Sequence, residues 1–261
     1  ENTIETQAKN NKSMSAALGS KLLDTDTGTF SGLSSEIGSG GNIELQHDYY
    51  TYDTGDTISI SGADSVIDGK GAIINMTGSN IRAFTVSASG VTIKNLTIIN
   101  ANYDGFGGAI YFSGSATSGT VSNCNFVDNK AAGDYSFGGA VHFSSIGNVS
   151  NCNFTNNTSS GEGGAINMGS GTVTNCNFTN NTASGDGGAV YFWEVGEVTN
   201  CNFTNNTADY AGAVYFQSTG TVTNCNFAGN TADYGGGAIY SLGWFTTADT
   251  CIFKRNSGDN V

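Results

Sequence analysis

The feature that most restricts the fold is a repeat. A Cys-Asn-Phe block, followed by a small-residue block ending in Gly-Ala-Ile or Gly-Ala-Val, returns along most of the chain. Cys124, Cys152, Cys176, Cys201, Cys225 and Cys251 stand 28, 24, 25, 24 and 26 residues apart. Ala109, Ala140, Ala165, Ala189, Ala213 and Ala238 keep step with them. Such a period is too short for paired-helix repeats or propeller blades, and the apolar residues inside each copy alternate with a period of two. The combination reads as a β-solenoid.

Alternation sends Val190 and Phe192 to one face and Ala189 and Tyr191 to the other, so the core receives Val190, Phe192, Cys176 and Phe178. Parallel pairing with the next coil then stacks like on like. An asparagine lies three residues after each aromatic, at Asn129, Asn157, Asn181, Asn206, Asn230 and Asn256. Its amide both donates and accepts, so the column is expected to form a hydrogen-bonded ladder with a structural role. Phe126, Phe154, Phe178, Phe203 and Phe227 are expected inside.

Proline is absent and there are 38 glycines among 261 residues, a composition for many short strands joined by glycine turns. The formal charge of −13, with nine Lys and Arg in all, argues against nucleic acid and against an anionic membrane surface. No apolar run is long enough to span a bilayer. Residues 1–41 read as a polar N-terminal segment, its first part, to about residue 20, poorly ordered. Within it Phe30, Leu33 and Ile37 have the spacing of a helical stripe, which predicts a short helix capping the first coil. Residues 42–261 form the repeat domain. Its early coils are degenerate: in Val91-Thr-Ile-Lys-Asn-Leu-Thr-Ile98, Leu96 aligns with the later cysteines and Ile98 with the phenylalanines. About nine coils result, on the order of 40 Å long at one strand spacing per coil. After Cys251 the sequence stops where the next Gly-Gly-Ala block is due, which reads as a fragment of a longer array.

Gly-Gly-Ala-Ile or Gly-Gly-Ala-Val paired with Phe-x-x-Asn resembles the repeat of the polymorphic outer-membrane adhesins of chlamydiae. Val66-Ile-Asp-Gly-Lys-Gly71, Val91-Thr-Ile-Lys-Asn-Leu-Thr-Ile98 and the Asn-Cys-Asn-Phe copies resemble adhesin-like surface proteins of methanogenic archaea more closely still. The resemblance spans about residues 43–261. It implies an all-β, right-handed parallel β-helix of the pectate-lyase-like kind. It also implies an extracellular, cell-surface location and attachment to a glycan or to a protein of another cell, without enzymatic activity. Ala211-Gly-Ala and Asp249-Thr-Cys-Ile depart from the pattern without threatening the fold.

The cysteines form a column of inward residues whose parallel side chains give poor torsions for disulfides, so free core thiols are expected. A line of thiols is also a poor zinc site, and neither a calcium nonapeptide nor an EF-hand loop is present. No metal or cofactor is expected. Asp104, Asp134, Glu162, Asp186, Asp209 and Asp233 precede the glycine blocks. Paired carboxylates serve glycoside hydrolysis, but a catalytic site should depart from the repeat and these residues are the repeat. They read as solvated turn charges or weak cation binders. A lyase would want a basic residue, and none lies between Lys130 and Lys254; with only His47 and His142, no nucleophile triad suggests itself. The alternatives to an adhesin are a carbohydrate-active enzyme on the same fold and a stalk presenting a separate binding domain. Eleven Asn-x-Ser/Thr sequons occur, but the ladder already explains this composition.

The candidate binding face is the column sent outward: Tyr111, His142, Asn167, Tyr191, Tyr215 and Tyr240. Two readings stand for it. The rings are exposed for a partner, as aromatic faces with a polar handle suit interfaces, or they stack to stabilise the sheet. Tyr135 and Phe137 in the longest insertion, with Tyr210 and Tyr234 at matching turns, favour binding.

Overall fold

The computed structural model of the protein describes residues 26–243 and 245–258. It is a parallel β-helix with one helix. Ten three-residue strands, from Thr27–Thr29 to Ile252–Lys254, stack in one wall and make nine steps of the coil. A six-stranded wall runs from Asn102–Asp104 to Thr231–Tyr234, and a 15-stranded sheet, bent into two columns, completes the coil. In Val141–Ser150 and Ile166–Thr174 a single strand runs through both columns.

Each position of the Asn-Cys-Asn-Phe-Thr-Asn-Asn copy has a separate physical task. Asn175 and Asn180 bound the strand Asn177–Thr179 in the left-handed region, both at φ 56°, which asparagine tolerates better than most residues. Cys176 and Phe178 point inward and are fully buried. The phenylalanines stack face to face, with centroids 4.9 Å apart for Phe154–Phe178 and 4.8 Å for Phe178–Phe203. Phe126 and Phe227 are buried in the same column, and Ile98 continues it in the early coils. Asn181 turns inward as well. Its amide donates to Asn206 Oδ1 and to the Phe154 carbonyl at 3.0 Å each, while its oxygen accepts from the Asn157 backbone N–H and Asn157 Nδ2, also at 3.0 Å. Every polar atom of that side chain is satisfied, so the buried column costs no orphaned group.

All six cysteines are free. Each buried thiol donates to a carbonyl two residues back, and from Cys152 on its sulfur receives the backbone N–H of the cysteine one coil earlier, as Cys176 does from Cys152 at 3.4 Å.

The paired glycines before each alanine do different work. Gly187 has φ 68°. Gly188 has an ordinary φ, but a Cβ there would lie 2.2 Å from the Gly212 carbonyl oxygen. The first slot therefore asks for a conformation and the second for the absence of a side chain. Ala211, at φ 56°, occupies the first slot and leaves Gly212 in the second.

The predicted cap is the helix α1, Phe30–Ile37, whose Phe30, Leu33 and Ile37 are buried over the first coil. Thr29 Oγ1 accepts from the Gly32 N–H at its start, and Gly38 at φ 55° ends it. The wall begins ahead of the helix, since Thr27–Thr29 already pairs with Tyr49–Thr51. The expectation of poor order to about residue 20 lies outside the described residues. Among these, no helix is long and apolar enough to cross a membrane.

Candidate functional site

The outward column lies where alternation puts it. Thr85, Tyr111, His142, Asn167, Tyr191, Tyr215 and Tyr240 are successive register partners on the face away from the core. It is not, however, a row of rings in solvent. Tyr191 is 1% exposed, Tyr215 4%, and His142 and Asn167 are buried too; Tyr111 and Tyr240 are half-buried. This corrects the exposed reading for His142, Tyr191 and Tyr215. The cause is the turn that leads into each glycine block, which folds back over the column. Asp186 and Tyr210 even form a parallel bridge in that roof.

Beneath it, Tyr191, Ala211, Tyr215 and Tyr240 form an apolar cluster separate from the core. Tyr191 and Tyr215 stack at 4.9 Å with only 6° between their planes, so the stabilising reading describes these two rings.

The turns bring their own aromatics to the surface. Tyr135 is 80% exposed, and Tyr210 and Tyr234 stand open to solvent with centroids 5.6 Å apart. Phe137 is half-buried and stacks on Phe106 at 5.4 Å, which in turn stacks on His142 at 4.9 Å. Trp193, partly exposed, meets Phe137 at 6.1 Å and Tyr191 at 5.1 Å. Aromatic contact thus runs from Tyr111 to Tyr234 and Tyr240 along one flank of the helix. Its solvent-facing members are Trp193, Tyr210 and Tyr234.

Polar groups are set into this strip. Trp193 Nε1 donates to Asn167 Oδ1 at 3.1 Å, and Asn167 Nδ2 donates to Glu162 Oε2 at 3.3 Å. Tyr191 hydrogen-bonds Gln217, and Tyr215 hydrogen-bonds Asp186. Asp104, Asp134 and Asp233 are exposed, as turn charges should be, whereas Glu162, Asp186 and Asp209 are half-buried. That corrects the solvated reading for these three. Burial, then the neighbouring Asp186 charge, pushes Glu162 up to about 7; burial, then Asp209, pushes Asp186 up to about 6. Burial also raises the phenols of Tyr191 and Tyr215, so both stay protonated and able to donate.

Sequence reasoning missed Arg82, Phe106 and Trp193. Phe106 precedes Gly-Gly-Ala as Phe137 does, which was its signal, while Trp193, in the slot that Gln217 takes one coil on, and Arg82 stand out by residue type alone. No group of three or more His, Cys, Asp or Glu residues able to hold a metal occurs among the described residues.

Residues 151–168, 175–192 and 224–242 match the Chlamydia polymorphic membrane protein repeat. Each matched stretch opens at a left-handed asparagine before the Cys-Asn-Phe strand. Each reaches through the Gly-Ala block to the strand that carries the outward column. The chain is thus a parallel β-helix with coils similar to a repeat of surface membrane proteins. No curated protein and no solved structure matches it.

Proposed function

We propose that this β-helix is an adhesin-like module of the cell surface, exposed outside the cell, that attaches to a glycan or a protein of another cell through its aromatic flank. One observation carries the reading: a strip of ring contacts crosses successive coils and includes three solvent-facing aromatics, Trp193, Tyr210 and Tyr234, with the exposed Tyr135 in the turn that carries Phe137. Exposed aromatic rings beside hydrogen-bonding carboxylates and amides suit sugar faces and polar protein surfaces alike. The matches to the Chlamydia polymorphic membrane protein repeat support a surface location. The resemblance to adhesin-like proteins of methanogenic archaea supports the same role. No catalysis belongs to this reading, because the carboxylates recur from coil to coil and the chain has no Lys or Arg between Lys130 and Lys254. The acidic surface disfavours nucleic acid.

Attachment of the purified chain to cells and to immobilised glycans, compared with a Y135S/Y210S/Y234S variant, tests the proposal. The variant should lose most of its attachment and keep its melting temperature within a few degrees, since these side chains are exposed. Equal attachment by both proteins would refute the aromatic flank as the binding surface.

A further inference from the structure

Arg82, just ahead of the strand Phe84–Val86, is 6% exposed in a chain with 22 acidic residues and nine Lys and Arg. A buried guanidinium is ordinarily paired with a carboxylate. Among the described residues none lies within ion-pairing distance of this one. Its partners are instead the ring of Tyr103 at 3.8 Å, the ring of Tyr111 at 4.7 Å, and a long hydrogen bond of 3.5 Å to Thr85 Oγ1.

Three buried side-chain polar atoms lack a partner among the described residues: Arg82 Nε, His142 Nδ1 and Asn102 Oδ1. His142 packs against Tyr111 at 5.5 Å, and Asn102 directly precedes Tyr103. Two of these atoms, Arg82 Nε and His142 Nδ1, belong to side chains that both pack on Tyr111, so unmet hydrogen-bonding capacity gathers at the N-terminal end of the aromatic flank. His142 adds no second positive charge, because burial and then the Arg82 charge hold it neutral, down to about 3. Gly105 lies against the pair: a Cβ there would come within 2.8 Å of the Tyr103 ring and 3.8 Å of Arg82 Nη2.

We infer that Arg82, with Tyr103, Tyr111 and His142, forms a subsite for the carboxylate of an acidic sugar. Guanidinium and carboxylate match as planar, bidentate partners. The half-buried rings of Tyr103 and Tyr111, which carry Arg82 on one face, flank the sugar that bears the carboxylate. The subsite rests on the attachment reading and names its ligand class: a glycan whose acidic unit sits at Arg82, with neutral units running along the strip towards the exposed Trp193, Tyr210 and Tyr234.

The test is calorimetric titration of the full chain with trigalacturonate and with its methyl ester, which keeps the sugars and removes the charge. The parent should bind the acid at least tenfold more tightly than the ester. R82M should lose that preference, weakening about tenfold to a hundredfold for the acid, the range of a charge-assisted hydrogen bond. R82K, which keeps the charge and removes the fork, guards against a folding defect; it should melt near the parent temperature and bind the acid more weakly. Equal binding of acid and ester, unchanged affinity in R82K, or no binding of the acid by the parent would overturn the subsite. Attachment to cells by the parent would survive any of these results, so failure of the subsite is distinguishable from failure of the attachment reading.

Discussion

Replacing Asn181 by Ala tests the ladder at its middle. The side chain is fully buried and makes four hydrogen bonds near 3.0 Å, two donated and two accepted. Truncation leaves two donors of Asn157, its backbone N–H and one amide hydrogen, with no acceptor in the core. Asn206 Oδ1 keeps the Asn181 backbone N–H at 2.9 Å, so the loss falls mainly on one side. An orphaned buried donor costs about 1–3 kcal/mol, which puts the variant near 4 kcal/mol below the parent. Asn180 is a natural control, being exposed, with an amide that only reaches Asn156 Oδ1 at 3.3 Å. Its replacement should cost about 1 kcal/mol, from the left-handed conformation. Coils contact only their neighbours, so the damage is local, and urea unfolding should be joined to amide exchange resolved by residue. Asn157 N–H should exchange much faster, whereas Asn129 N–H, which donates to the intact Asn157 Oδ1 at 3.1 Å, should change less. A loss below about 1 kcal/mol with unchanged exchange at Asn157 would refute the view that the ladder is satisfied only as a whole.

Thiol titration of the native protein should find Cys251, which is half-buried at the last coil, ahead of the others, and all six after denaturation. Rapid modification of Cys124, Cys152 or Cys176, whose thiols burial pushes well up, would contradict the inward column. The carboxylates predict an inverted pH dependence. Glu162 and Asp186 titrate higher folded than unfolded, so the folded state holds extra protons between the two values, and their contribution to stability is fully present below about 4 and lost as the pH rises through about 6 to 7. Thermal melts from pH 5 to 8 should fall with pH more steeply in the parent than in E162Q; identical slopes would show that Glu162 is solvated.

The coil was legible because its physics is local and repeated. A left-handed residue on either side of a three-residue strand, an inward Cys and Phe, and an inward Asn each have a fixed place in the copy. Six copies average out the exceptions. Thr250 and Arg255 adopt the left-handed conformation where the pattern has asparagine, and the strand Ile252–Lys254 still pairs in register. Even the degenerate coil around Leu96 and Ile98 is placed by alternation alone. What alternation gives is a direction, inward or outward. It contains nothing about whether a turn some 24 residues away folds back over an outward side chain. Tyr191 and Tyr135 are both outward tyrosines. One is buried under the turn of a neighbouring coil, and the other sits at the tip of a turn.

That difference also locates function within the repeat. Positions common to every coil, such as the Phe and Asn columns, are fully occupied by contacts with the coils above and below, and so have little left for a ligand. Free bonding capacity collects where the period fails. The 28-residue step between Cys124 and Cys152 carries the insertion with Tyr135 and Phe137, the coil before it supplies Phe106, and the coil before that supplies Arg82. Phe106 takes the slot before Gly-Gly-Ala that Phe137 takes one coil on, and it joins the two coils by stacking on Phe137 and His142. The later coils contribute a regular, buried floor of stacked tyrosines and half-buried carboxylates, with Trp193, Tyr210 and Tyr234 open to an extended chain but not able to select one. Selection then falls to the irregular end. There a single buried cation, unpaired among the described residues, distinguishes an acidic unit from a neutral one.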